Sequence, residues 1–194
     1  MNINQWQEAV EETMQNKNGK MNTCIPGVIQ SYKNGRAVVK PQGTIQYENG
    51  KSMEYPVIYD VPIVFPTGMS GTCGITFPIK SGDGCLIVFS QNNMQSFLSG
   101  TETDDQRHHS LNDAICIPGL YSAAFSTVES NPDDVCIFHG NSKVTLGDGG
   151  LNANLADGTI FELSGSDLKV NGISLTKHKH GGVQSGGSTT DVPQ

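Results

Sequence analysis

Two histidines one residue apart, His178 and His180 in the run TKHKHGGVQSGGSTTDVPQ, are the side chains best placed to do chemistry in this chain. In an extended segment residues two apart point to one side. The two imidazoles then share a face, and Lys177 and Lys179 take the other. With that face turned toward a threefold axis, three chains bring six ring nitrogens together. Six nitrogen donors in threefold symmetry suit octahedral coordination of a first-row metal such as iron(II), one per three chains, rather than tetrahedral zinc. The plainer reading is an exposed basic tail. The glycine-rich ending and the strand-rich region before it favour the metal.

Other candidate chemistry is thinner. His108 and His109 follow Asp104, Asp105 and Arg107 in a polar stretch, where a metal or acid–base role competes with a solvated or capping loop. The loop is the expectation, and His139 is assigned no role. GMSGT, residues 68–72, places Ser70 close to glycines but is not G-x-S-x-G, and no helical pattern follows it. Neither a G-x-x-x-x-G-K-[ST] loop nor H-E-x-x-H occurs. The five cysteines (Cys24, Cys73, Cys85, Cys116 and Cys136) lack the close C-x2-4-C pairs of structural zinc sites. They are expected to be small buried hydrophobes kept reduced. A non-enzymatic protein is therefore expected. The catalytic alternative is a metal-dependent envelope hydrolase using His108, His109 or the terminal pair.

The elements that must position these residues follow from composition and pattern. In 194 residues, 36% are hydrophobic, 16% are charged and 23 are glycine. So little charge argues against a solvated disordered chain, and so little apolar material argues against one large core. Short strands joined by glycine turns, with burial completed between chains, fit both. The formal net charge of −7 weighs against nucleic-acid binding, which relies on Lys and Arg. The longest strongly apolar run is CLIVF, residues 85–89, far below the roughly 20 residues of a membrane span. No basic region followed by an apolar stretch opens the chain, so synthesis and folding in a cytoplasm are expected.

The fold class predicted is all-β with one N-terminal helix. Ile3, Trp6, Val10 and Met14 recur at helical spacing over residues 3–17. This helix, in a segment over 1–21, would dock on partner proteins or on the chain's own barrel. Residues 22–100 read as a small barrel of five or six strands, with turns at Asn34–Gly35, Asn49–Gly50 and Asp83–Gly84. Residues 101–132 read as a connector that packs partly on the barrel through Ile115, Ile117 and Leu120. Residues 133–176 read as very short alternating strands, with turns at His139–Gly140, Gly147–Asp148, Asp157–Gly158, Gly165–Ser166 and Asn171–Gly172. Isolated strands this short do not offset their own ordering entropy. They become stable if identical chains wind together, with Val144, Leu146, Leu155, Leu163, Leu168, Val170 and Leu175 around a shared axis. The predicted shaft is an intertwined trimeric β-helix, and residues 177–194 form its tip.

Two stretches also carry a resemblance. DVPIVFPTGMSGTCGITFPIKSGDGCLIVFS, followed by DQRHHSLNDAICIPGLYS, resembles the N-terminal domain of phage membrane-puncturing spike proteins. The ending HKHGGVQSGGSTTDVPQ is similar to the tip of the central spikes of contractile tails, the baseplate assembly protein V family. The resemblance implies an OB-fold barrel, a homotrimeric needle below the tail tube and iron held near the tip by the H-x-H histidines, here His178 and His180. It also implies baseplate hub and tail tube proteins as partners, transient contact with the bacterial outer membrane, and a place in a virion or phage-like particle. The alternative binding function is an OB-fold module for glycan or single-stranded nucleic acid, against which the acidic balance weighs.

Overall fold

The computed structural model describes Ile3, Gln7, residues 21–47, 50–121 and 133–179, and Gly182, Gly186 and Gly187. Apart from Ile3 and Gln7, the predicted helix over 3–17 lies outside the described residues, as does Asn49 of the second predicted turn. The chain divides into two units, residues 1–126 and 127–194.

In the first unit, strands β1 (Cys24–Lys33) and β2 (Arg36–Pro41) form the predicted hairpin. Its turn residues Asn34 and Gly35 both take positive φ, 51° and 78°. A type I′ turn requires this, and Asn–Gly tolerates it best. The short strands β3 (Thr44–Gln46) and β4 (Ser52–Glu54) pair with each other. β5 (Ile58–Pro62) returns to pair with β2. β6 (Thr67–Gly68) and β7 (Cys73–Gly74) make a separate two-residue ladder. β8 (Gly84–Phe89) lies on the other side of β1. A short helix α1 (Gln95–Ser99) and a polar loop then lead to β9 (Ala114–Pro118), which pairs with β8.

The sheet order is thus β5-β2-β1-β8-β9, and its two ends meet. Ile63 and Cys116 form a parallel bridge, with the Val64 amide donating to the Cys116 carbonyl at 3.0 Å. Register shifts between Ile29 and Ser31 on β1, and between Ala37 and Val39 on β2, supply the local bending that closure needs. Alternate residues point inward. Ile29, Ala37, Val39, Ile58, Val61, Cys85, Ile87, Phe89, Ala114 and Cys116 form one buried core.

One boundary differs from expectation. The barrel was predicted to end near residue 100, but its fifth strand is AICIP, inside the predicted connector. A short helix and a long polar loop separate this five-residue strand from its partner β8. The chain leaves the barrel by a close approach: the Gly119 amide donates to the Gly84 carbonyl at 3.1 Å. A Cβ on Gly84 would stand 2.0 Å from the Leu120 carbonyl oxygen, so only glycine fits there.

The second unit is a six-stranded antiparallel meander of β10 (Val135–His139), β11 (Ser142–Gly147), β12 (Gly150–Asn154), β13 (Ile160–Ser164), β14 (Asp167–Val170) and β15 (Ile173–Ser174). Its turns fall within about one residue of the predicted ones. Register separates the two faces. One row across the sheet reads Val135, Leu146, Leu151, Leu163 and Leu168; a second reads Ile137, Val144, Ala153, Phe161, Val170 and Ile173. The row between them, facing the other way, reads Cys136, Thr145, Asn152, Glu162, Lys169 and Ser174.

Burial in this unit is inverted. Val135, Leu146, Leu163 and Ile173 are 65%, 55%, 51% and 65% exposed, whereas the carboxylate Asp167 is 7% exposed. Antiparallel sheets keep an apolar face by packing it on something, and among the described residues of the unit this one stays largely exposed. The sequence also led to an expectation of strands winding between chains. Within this chain, each ladder from β10 to β15 joins strands that follow one another in sequence. Four of the five connections are glycine-containing turns of two residues and the fifth, between β12 and β13, spans residues 155–159, so neighbours in sequence are neighbours in the sheet.

Candidate functional site

The regular sheet ends at Ser174, and the next residues turn rather than extend. The His178 amide donates to the Ser174 carbonyl at 3.2 Å, closing one helical turn. The turn lies just before the predicted H-x-H segment, whose second histidine, His180, lies outside the described residues. His178 nevertheless lines an open hollow of about 290 Å³ together with Leu168, Val170, Ile173 and Leu175, which belong to the apolar face.

The hydrogen bonds of His178 also select a tautomer. Its Nδ1 lies 2.8 Å from the Ser174 carbonyl oxygen and 3.2 Å from that of Leu175. Carbonyls only accept, so Nδ1 must carry the proton, and Nε2 is the lone-pair nitrogen of the neutral ring. Metal-bound histidines show this arrangement, with one nitrogen donating to a carbonyl and the other ligating. The residues present thus fit a metal held by imidazole. Among the described residues no group of three or more His, Cys, Asp or Glu side chains converges. A site on an axis takes its ligands from several chains.

The second predicted cluster proves to be a structural clasp. Arg107 Nε donates to Asp113 Oδ2 at 2.6 Å and Nη2 donates to Oδ1 at 3.0 Å, while Nη1 pairs with Asp105. Arg107 Nη2 also reaches Asn93 Oδ1 at 3.0 Å. Asp113 is 2% exposed and accepts the Met94 amide at 2.9 Å. The Arg107 guanidinium, with the Met94 amide, holds the Asp113 carboxyl below the usual carboxylate range, against the opposing effect of burial. A bidentate pair of this kind fixes the polar loop onto the start of β9, and the Met94 amide ties in the segment after β8. His108 Nδ1 meets the Gln91 carbonyl at 2.8 Å, and the His109 carbonyl accepts the Asn22 side-chain amide at 3.1 Å. His109 has φ 49°, and its Nδ1 is buried without a partner. Both histidines lie in the polar loop between α1 and β9. Sequence reasoning named Arg107 only as a neighbour of the histidines and passed over Asp113, although an Arg six residues before an Asp at the start of an apolar run was the available signal.

Cys85 and Cys116 are buried in the barrel core, as expected, and the neighbouring Cys85 thiol and then burial push the Cys116 thiol up. Cys24 and Cys73 are exposed instead. Ser70 sits in an exposed turn with φ 56° between β6 and β7.

Two family models match the chain. Residues 25–119, the barrel from β1 to β9, match the phage protein Gp138 N-terminal domain. Residues 172–194, from the last turn of the sheet onward, match the GpV apex motif. No curated protein matches the chain significantly. Both matched families come from phage baseplate and spike proteins, and they lie here in the order barrel, sheet, tip. That pairing supports a phage central spike protein, with a structural role in the tail baseplate.

Proposed function

We propose that three copies of this chain form the needle of the central spike, and that the needle pierces the outer membrane of a Gram-negative host when the tail contracts. The observation that carries this reading is the inverted burial of the second unit, whose leucines are exposed while its carboxylate is covered. Three such sheets, each made by one chain, bury their apolar faces against one another as a three-sided prism. The shaft is then held by apolar contact rather than by exchange of strands.

The barrel is read as an OB-fold. Supporting this is the sheet order β5-β2-β1-β8-β9, closed by a parallel contact between the segments after β5 and within β9. Three barrels form a collar that meets the hub and tail tube, with residues 1–21 as the docking segment. His178 and His180 of three chains hold one iron(II) at the tip. When bound, the metal supplies a crosslink between the chain ends. The His178 tautomer and its position beside Leu168 and Leu175 support this assignment. Force comes from sheath contraction, so the needle requires neither an active site nor a membrane anchor.

Elemental analysis and native mass spectrometry of the full chain test the proposal. One iron per three chains, absent when His178 and His180 are both alanine in an intact trimer, is the expected result. A monomer with its apolar face free in solution overturns the trimeric needle. A trimer without stoichiometric metal removes the tip site and leaves the needle.

A further inference from the structure

The turn that carries His178 is not held by the sheet itself. β15 has only the residues Ile173–Ser174, and its last paired rung is Lys169 with Ser174. One more backbone bond, from the Leu175 amide to the Leu168 carbonyl at 2.8 Å, extends the ladder. Beyond that point a two-residue edge strand would fray.

Asp167 takes over where the ladder stops. Its Oδ1 accepts the Thr176 hydroxyl at 2.8 Å and the Thr176 amide at 3.3 Å. The Ser174 hydroxyl, and after it Thr176, hold this carboxyl below the usual carboxylate range. Ser174 in turn organises the rest of the turn. Its Oγ accepts the Lys177 amide at 2.8 Å, and its carbonyl accepts both the amide and Nδ1 of His178. A continuous set of hydrogen bonds therefore runs from a buried carboxylate to the imidazole. Burying a carboxylate is costly unless its oxygens are satisfied, and here they are satisfied by the turn.

We propose that Asp167 is a positioning residue: through Thr176 and Ser174 it keeps the 174–178 turn closed and so sets His178 in its Nδ1–H tautomer, with Nε2 as the ligand nitrogen. This rests on His178 being a metal ligand. A neutral histidine left to solvent favours the proton on Nε2, the nitrogen a metal at the tip would need. The clasp removes that competition before metal arrives, which is preorganisation of a ligand.

The test uses the full-length protein, metal-stripped, with ¹⁵N-labelled histidine, at a pH where the imidazoles are neutral. The His178 signals are assigned by their loss in His178→Ala. Wild type is expected to show the nitrogen shifts of an Nδ1–H ring, and Asp167→Ala those of a ring protonated mainly on Nε2. Asp167→Asn, which keeps an acceptor oxygen, should retain most of the wild-type pattern. Thr176→Val, of similar shape but without the hydroxyl, provides the same test if Asp167→Ala does not fold. Titration with iron(II) should then show about 10–100-fold weaker binding in Asp167→Ala at unchanged trimer mass. An unchanged Nδ1–H pattern in Asp167→Ala and in Thr176→Val overturns the positioning role. If the tautomer switches but no variant, wild type included, binds iron, the positioning stands and the tip-metal reading falls.

Discussion

Placing a carboxylate on the apolar face of the meander is the sharpest test of what that face is for. Leu163 sits in the middle of a row, between Leu151 on β12 and Leu168 on β14, and is 51% exposed in the single chain. Full burial of a leucine contributes about 1.5–3 kcal/mol. Covering the half that remains therefore contributes about 1 kcal/mol per chain, or about 3 kcal/mol for three. Leu163→Ala should thus weaken assembly on the order of 100-fold, at 1.4 kcal/mol per tenfold. Leu163→Asp reverses the sign. A carboxylate withdrawn from water without a partner costs several kcal/mol, and three of them also repel, for a total on the order of 10 kcal/mol. At micromolar concentration no trimer should then survive.

The control adds the same charge to the other face. Thr145 lies between Cys136 and Asn152 in the polar row, so Thr145→Asp should leave assembly unchanged. Analytical ultracentrifugation reads the mass. Thermal unfolding at several concentrations reads the coupling, because the midpoint of an obligate oligomer rises with concentration. If Leu163→Asp keeps the wild-type mass and midpoint, the inward assignment is wrong. If both substitutions disrupt assembly equally, charge rather than facing is responsible, and the two-faced reading fails.

Two further outcomes concern the barrel. Because Arg107 depresses the Asp113 carboxyl, the folded state holds its proton less tightly than the unfolded state, whose carboxyl titrates near pH 4. The stability this contributes is present above the unfolded value and is lost as pH falls through the lower folded one. Asp113→Asn should therefore lower the barrel's melting temperature at pH 7 and flatten its decline below about pH 4; equal acid sensitivity in both proteins would contradict this. Gly84→Ala pushes a methyl group into the Leu120 carbonyl and must displace the chain leaving the barrel, a backbone strain of about 1–3 kcal/mol. Hydrogen exchange at the Gly119 amide should accelerate in this variant, and unchanged protection there would show that the close approach is dispensable.

How much of this was legible depended on how local the determinants were. The Asn34–Gly35 hairpin and the turns of the second unit were readable because a turn is specified by two residues and the strands beside it by alternation. The apolar row was readable for the same reason: Val144, Leu146, Leu163, Leu168 and Val170 all fall on the predicted face. β9 was missed because its place depends on β8, reached across a polar loop, and on a bridge to Ile63. The turn before His178 was not legible because Thr176 within it is hydrogen-bonded to Asp167, a residue on another strand. At the sequence level Asp167 is one more acidic residue beside a Gly–Ser turn. Only the fold shows it buried.

The two units solve burial in opposite ways, and the difference bears on how a needle carries force. The barrel closes on itself and satisfies its core within one chain. The meander satisfies only its hydrogen bonds, which run strand to strand from β10 to β15. With strands about 4.8 Å apart, six of them span about 24 Å in that direction. In the proposed needle a push along this direction compresses every ladder in series, with strands already in contact. Hydrogen bonds fail by being pulled or peeled, and compression does neither. Sideways buckling is the remaining weakness of a single-layer sheet. Burial of three apolar faces against one another resists it, since bending one sheet away exposes its leucines to water. The vulnerable point is the last edge, where β15 contributes only two residues. The Asp167–Thr176–Ser174 clasp lies at that edge, and so does His178. A carboxylate buried at the end of the sheet therefore serves two requirements at once: it stops the final strand from fraying and it holds the imidazole that would join the three chains.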